Sequence, residues 1–313
     1  MMIINFDPTL PNPVVRGLGW NVKRSQHYRN LRHVGDNGKV TVVPRYTSPL
    51  WEWELTWKYV RDAWPQGIEF QSQNAPFSDL QILEGVYGEV LGGGGLFLYQ
   101  PPYYNVQSQV LAYPDSNNNT ELVYTYGAEP IPTTSGNLAI TNIAINNNFL
   151  TATASGLGSL AVGNGVNFSG LTGASFLNGT GMYVGGLNIG GVSNTFGGPY
   201  VHANYGPTAD SGTAAIGGKF NLVNESVQYM AGLNVFVNGV VNTNWNLGQP
   251  STVNPYMGYV LQWTSLPAAG SVITASYLLY YNCLFNEDDV LSPEEFMANL
   301  WSLQSLKFMQ SRI

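Results

Sequence analysis

The sequence predicts a mainly β fold, on three observations. Only 10% of the 313 residues are charged, against roughly 25% in an average soluble domain. With 36 Gly, 18 Pro, 19 Tyr and a surplus of Asn, the polar surface is largely uncharged and rich in turn formers. Period-2 patterning is the second observation: Trp51, Trp53, Leu55, Trp57 and Tyr59 alternate with Glu52, Glu54, Thr56 and Lys58, the signature of a half-buried strand. The third is Asn238-Gly239 inside the run Leu233 to Val241, a strong hairpin signal because both residues accept positive φ.

The remaining elements follow in chain order. Ser78 is placed to cap a helix in which Leu80, Leu83, Tyr87 and Leu91 recur at intervals of three to four, ending in the glycines at 92 to 95. Phe97, Leu98 and Tyr99 restart as a strand. Leu266 to Gly270 predicts a second hairpin, and Val272 to Phe285 a long aromatic strand. Ser292-Pro293-Glu294-Glu295 combines an N-cap, a proline at the first helical position and a capping-box glutamate. It predicts a second short helix through Phe296, Met297, Leu300 and Trp301, followed by a last strand from Ser305 to Ser311.

Charge divides the chain. Nine of the twelve Lys and Arg lie between Arg16 and Arg61, and no charged side chain occurs from 130 to 209. That stretch consists of short β-branched and aromatic runs broken by Gly and Asn-Gly steps. Regularly spaced Leu160, Val166, Phe168, Phe176 and Tyr183 supply apolar positions that a disordered tract lacks. The expectation is an inserted all-β module, 136–216, within a discontinuous host domain formed by 1–135 and 217–313.

Composition also narrows function. A net charge of −7 argues against a phosphate-neutralising surface. The single Cys283 excludes an intramolecular disulfide framework and any multi-thiolate metal site. His27, His33 and His202 are too few and too scattered for a zinc site of ordinary spacing. The acidic run at 286–289 with Glu294 and Glu295 lacks the alternating ligands of a calcium loop and reads as helix N-terminal charge. No Gly-x-Ser-x-Gly elbow or phosphate loop is present. Glu52 and Glu54 are neighbours on the outward side of one strand, which fits solvent or a subunit contact better than a glycosidase pair. The expectation is a protein without catalytic residues, cofactor or metal. The opening residues lack a signal-peptide pattern and no apolar run reaches membrane-spanning length, so cytoplasmic synthesis without membrane insertion is expected.

The flanking segments resemble a known family. Leu10-Pro11 through Gly19-Trp20-Asn21-Val22-Lys23-Arg24-Ser25, the run Pro49 to Leu55, the helix Asp79 to Leu91 with its glycine-rich turn, and Phe97-Leu98-Tyr99 are similar to the distal tail proteins of long-tailed phages and gene transfer agents. Val235 to Gly239, Leu266 to Gly270, Tyr280 to Phe285 and Phe296 to Trp301 continue the likeness in the same order. It covers about 10 to 125 and 220 to 313, and rests on the succession of motifs rather than on any single one. The middle module is similar to a small β-module that recurs in phage and bacterial surface proteins.

The resemblance implies a tail-tube-like β-sandwich or barrel host domain with one or two short helices. It implies a homohexameric ring at the distal end of the tail tube, contacting the tail tube protein and the baseplate hub and tip proteins, in the virion and without stable DNA binding. The candidate intersubunit contacts are Arg24, Arg29, Arg32, Glu52, Glu54, Asp288 and Glu294. The alternative is a carbohydrate- or receptor-binding appendage that meets a host surface glycan through the inserted module, with Tyr200, His202 and Tyr205 as candidate ligand contacts.

Overall fold

In the strand Leu50–Arg61, Trp51, Trp53, Leu55 and Trp57 are buried while the residues between them are partly exposed, as the alternation predicts. Opposite Trp301 to Leu303, the pairing slips between Trp57 and Val60. The extra residue shifts the parity, and the even-numbered Val60 is buried beyond the slip. In this computed structural model the described residues are 3–5, 18–28, 30–44, 48–61, 79–101, 105–131, 136–249, 258–286, 291–297 and 300–311. They are 61% strand and 7% helix, with one α-helix; the protein is mainly β. The chain divides into two compact units, Met1–Tyr104 with Tyr280–Ile313, and Asn105–Leu279.

In the first unit the strand order is Ile3–Asn5, Phe97–Gln100, the end of Ile273–Phe285, Leu300–Gln310, Leu50–Arg61 and Leu18–His27. All neighbours are antiparallel except the first pair, which is parallel. The core is aromatic. Trp53 lies 4.8 Å from Tyr281 and 5.2 Å from Tyr99 between ring centroids, Phe97 4.7 Å from Phe285, and Tyr99 4.6 Å from Phe308. Offset and edge-to-face rings of this kind add roughly 0.5–1.5 kcal/mol per pair beyond their area burial. Cys283 is buried in the same layer, and burial pushes its thiol well above the ordinary value, which makes it an inert apolar filler.

The helix is Asp79–Glu89. Leu80, Leu83, Val86 and Val90 are buried, and the Tyr87 ring meets Phe285 at 5.2 Å. The proposed cap Ser78 lies outside the described residues. Leu91 is not on the buried face: the helix ends before it, and Leu91 adopts left-handed backbone with its side chain 81% exposed.

The second predicted helix is a strand. Glu294–Met297 pairs with Leu300–Gln310, Glu294 opposite Ser302 and Glu295 opposite Trp301. A capping box and an N1 proline are local preferences, and a helix of about two turns is marginal without packing. The ladder offered by Leu300–Gln310, itself paired to the tryptophan strand, wins over them. The predicted closing strand therefore begins at Leu300 rather than Ser305.

The second unit is organised around the 22-residue strand Tyr205–Ser226. Along its length it pairs with Gly136–Asn146, then Asn164–Ser169, then Val123–Ile131, all antiparallel. Gly136–Asn146 continues through Phe149–Ala154 to Thr195–Pro199 and Gly186–Leu187. Ile143, Leu150, Phe168, Leu177, Phe196 and Ala214 are among the buried residues of this core. The segment 136–216 lies inside this unit, and the long strand runs across its expected end at 216. The strand Val123–Ile131, which precedes its expected start, joins the same sheet. The composition changes near 130 and 210, but the backbone ladder does not.

Asparagine supplies the turns. Eight described non-glycine residues have positive φ, and six are Asn, the residue besides Gly that most readily enters left-handed backbone. Asn238-Gly239 closes the predicted hairpin between Tyr229–Val237 and Val240–Val241, with φ of 51° and 77°. The Asn238 side chain accepts from Val272 N at 2.8 Å, and Asn147 Nδ2 donates to Gly239 O at 2.7 Å. The turn at Leu266 to Gly270 is not a hairpin. The strand before it, Val260–Trp263, pairs with Trp245–Gly248 and Asn119–Glu121, while the strand after it pairs elsewhere.

Candidate functional site

Two surfaces stand out, one in each unit. In the first unit, Asn30–Val34 and Val40–Pro44 form a two-stranded ribbon that pairs with no other described strand. Its turn is closed by Gly38 N donating to Gly35 O at 2.8 Å and by Lys39 N donating to Asn37 Oδ1 at 3.0 Å. Leu31, Val34, Val40, Val42 and Val43 are each about half exposed or more. From the register, Leu31, His33, Thr41 and Val43 share one side, while Arg32, Val34, Val40 and Val42 share the other. Both sides thus present branched aliphatic groups to solvent.

The candidate intersubunit residues fall into three groups. Arg32 is exposed on the ribbon, and Glu294 is exposed on the strand Glu294–Met297. Arg24, Glu52 and Glu54 have partners within the chain. The Arg24 guanidinium carbon sits 4.2 Å from the Trp51 ring centroid, His27 Nε2 lies 3.3 Å from Glu52 Oε2, and Lys23 Nζ lies 3.1 Å from Glu54 Oε2. The Lys23 hydrogen bond, opposed by partial burial and aided by Ser305, holds the Glu54 carboxyl below its ordinary range. Arg29 and Asp288 lie outside the described residues.

In the second unit the structure brings Tyr200, His202 and Tyr205 together, with a fourth ring, Phe176, which the sequence reading did not single out as a contact. Phe176 lies on the short 3-10 turn Ser175–Leu177. Its ring stacks on His202 at 4.3 Å with planes 8° apart, and Tyr205 meets it edge-on at 5.1 Å. Tyr200 lies 6.3 Å from His202. Asn148 holds the loop from both ends of its residue: its carbonyl accepts from Tyr200 N at 2.8 Å and its side chain from His202 N at 3.1 Å. His202 Nδ1 lies 2.8 Å from Ala203 O. A carbonyl only accepts, so Nδ1 carries the proton and neutral His202 presents Nε2 as an acceptor. The cluster sits at the end of the charge-free stretch, and its chemistry is ring stacking and neutral hydrogen bonding. Phe176 was hidden in the sequence because its place depends on Asp210, 34 residues later.

Asp210 fixes the loop that leads to Phe176. Its Oδ1 accepts from the backbone N–H groups of Thr172 at 2.8 Å, Gly173 at 3.1 Å and Ser211 at 2.8 Å, and its Oδ2 from that of Ala174 at 2.6 Å. Burial pushes the carboxyl up, but the four backbone donors outweigh it and hold the group below its ordinary value. A carboxyl depressed in the folded state contributes stability that is fully present above its unfolded value, about 3.9, and is lost as pH falls through the folded value. Asp210→Asn is therefore expected to destabilise the protein by about 1–3 kcal/mol at pH 7. The difference from wild type, read from urea midpoints, should shrink as the pH is lowered below about 4.

Among the described residues, no three His, Cys, Asp or Glu are grouped to hold a metal ion, and no helix is long and apolar enough to cross a membrane. No protein-family model matches the chain, and no curated protein matches it.

Proposed function

We propose that this chain is a structural, non-enzymatic virion protein. It forms a homohexameric ring at the distal end of a phage tail tube and joins the tube to the baseplate hub and tip. The observation that carries the assembly reading is the ribbon 30–44. An isolated two-stranded hairpin is marginal in water, and this one exposes five branched aliphatic residues that gain from being covered. A neighbouring copy is the natural cover, because Arg32 and Lys39 give the ribbon positive charge in a chain of net −7. Complementary charge sets register and encounter rate more than affinity. The ring, its place on the tail and its partners come from the resemblance of the flanking segments. A tail conduit of this kind has no need to retain DNA.

The test is a pair of ribbon variants, Leu31→Ser with Val43→Ser, and Arg32→Glu with Lys39→Glu. Both are expected to melt as wild type does and to fail to enter tails, because the ribbon contributes little to the unit's own core. Wild-type particles should show six-fold density for this chain, and the purified protein no salt-sensitive retention of duplex DNA. Three-fold or single-copy density, or full incorporation of the ribbon variants, would sink the reading.

The aromatic cluster supports a second reading, a contact between the second unit and a host surface glycan. Phe176→Ala with Tyr205→Ala is expected to leave particle assembly intact and to reduce adsorption to host cells.

A further inference from the structure

Asparagine is followed by glycine four times, at 37–38, 164–165, 178–179 and 238–239. In such a pair the asparagine side chain is open to attack by the next backbone nitrogen, because glycine has no Cβ to shield it. Whether a pair reacts depends on how firmly the fold holds the two reacting groups, and here the four differ. Three are tied at both ends of the side-chain amide to other segments of the second unit. Asn164 is 3% exposed, its Oδ1 accepts from Ala161 N at 2.7 Å, and its Nδ2 donates to Gly217 O at 3.2 Å. Asn178 Oδ1 accepts from Leu171 N at 2.8 Å and its Nδ2 donates to Leu171 O at 2.9 Å, while Gly179 N donates to Phe168 O at 2.9 Å. Asn238 Oδ1 accepts from Val272 N at 2.8 Å, and its Nδ2 lies 3.4 Å from Ser271 Oγ.

The fourth pair, Asn37-Gly38, is exposed at the tip of the ribbon 30–44. Asn37 Oδ1 accepts from Lys39 N, two residues on, at 3.0 Å, and its Nδ2 has no hydrogen-bond partner among the described residues. The Lys39 bond draws electron density from the side-chain carbonyl, which favours attack at Cγ, and the nitrogen that must leave is uncommitted. A Cβ at Gly38 would meet nothing within 4 Å, so the space around the attacking nitrogen is open. One bond opposes the reaction: Gly38 N donates to Gly35 O at 2.8 Å and must let go before it can reach Cγ. That bond closes a turn in a ribbon that pairs with no other described strand. Opening such a hairpin locally costs far less than opening a packed sheet.

We propose that Asn37 is a site of spontaneous deamidation and isoaspartate formation, and the fastest of the four pairs in the folded chain. Gly38 N loses its proton and bonds to Asn37 Cγ. The Cγ–Nδ2 bond breaks, and Nδ2 leaves as ammonia with that proton, so that a five-membered succinimide remains. Water then opens the ring. Cleavage between Gly38 N and Cγ gives an aspartate in a normal backbone, and cleavage between Gly38 N and the Asn37 backbone carbonyl carbon gives isoaspartate, with the chain running through Cγ. Either product puts a new negative charge beside Asp36, at the tip of a ribbon that carries Arg32 and Lys39. Isoaspartate also lengthens the backbone by one methylene within the turn, which displaces the side-chain oxygen that Lys39 N now meets. The ribbon of an aged chain thus differs in charge and in turn geometry from that of a new one. The proposal is independent of the ring.

The test is peptide mapping by mass spectrometry on the full chain aged in mildly alkaline buffer, once folded and once unfolded in guanidinium chloride. Each conversion adds about 1 Da, and methylation by protein isoaspartyl methyltransferase reports isoaspartate separately. In the unfolded chain the four pairs are expected to react within about threefold of one another, because little structure is left to distinguish them. In the folded chain Asn37 should react at least about tenfold faster than each of Asn164, Asn178 and Asn238. Methyl incorporation should map to residue 37. Asn37→Gln moves the side-chain carbonyl one methylene further from Gly38 N and requires a six-membered ring; it should keep the wild-type melting temperature and abolish methyl incorporation in the folded protein. A smaller advantage of Asn37 over any of the other three in the folded chain would overturn the proposal, as would methyl incorporation that persists in Asn37→Gln.

Discussion

Alanine at position 198 is expected to unfold the second unit at temperatures where wild type is intact. A Cβ built on Gly198 falls 1.9 Å from the carbonyl oxygen of Tyr183 and 3.1 Å from its carbonyl carbon. Both obstacles are backbone, so no rotamer change relieves them. The strand Thr195–Pro199 is held on one side by Phe149–Ala154 and on the other by Gly186–Leu187, and cannot retreat without breaking a ladder. Overpacking a well-filled site destabilises typically by 1–3 kcal/mol, and a backbone obstacle puts this variant at or above about 3 kcal/mol. Urea unfolding is the measurement. Gly156→Ala is the control, because a Cβ there meets nothing within 4 Å and its φ is not positive. A change within about 0.5 kcal/mol is expected for it. Equal midpoints for the two variants would show that the approach of Tyr183 to Gly198 is not obligatory.

Trp53→Ala is expected to lower stability by about 3–5 kcal/mol, the usual range for truncating a buried large aromatic. Trp53 is 1% exposed and contacts the rings of Tyr99, Tyr281 and Phe308, from three different strands. Its removal opens a cavity that the neighbouring β ladders cannot close. Lys58→Ala, on the exposed side of the same strand, should change stability by no more than about 0.5 kcal/mol. Near-ultraviolet circular dichroism, which reports the packed aromatic layer, should fall in the first variant and not in the second.

What the sequence disclosed and what it hid follow from how local each signal is. The tryptophan strand was legible because period-2 alternation over the nine residues from Trp51 to Tyr59 has one physical solution. The Asn238-Gly239 hairpin was legible because a two-residue turn constrains its own strands. The signal at Ser292 to Glu295 is as local as these, but it competed with a partner strand that begins only at Leu300, and the ladder prevailed. Leu91 fitted the helical spacing but lies past the point where the helix stops. Tyr200, His202 and Tyr205 could be named in advance because uncharged aromatics near one another in sequence stay near in space. Phe176 could not, since Asp210 places it from 34 residues away. The left-handed backbone of Ser108 left no trace either, since the sequence there offers no glycine to mark it.

The long strand Tyr205–Ser226 has a consequence for how the chain reaches its native state. Each of its partners lies upstream: residue 205 meets 145, residue 213 meets both 139 and 169, and residue 226 meets 123. On a ribosome, the strands Gly136–Asn146 and Phe149–Ala154 emerge early and can close their own hairpin, but their shared sheet lacks its central member until residue 226 has been made. Pairings separated by up to about a hundred residues are slow to form because loop closure precedes the contacts that reward it. During that interval the sheet edges stay open, the state in which β proteins associate wrongly. Refolding yield should therefore fall steeply with protein concentration, and a fragment ending near residue 210 should aggregate where the full chain does not.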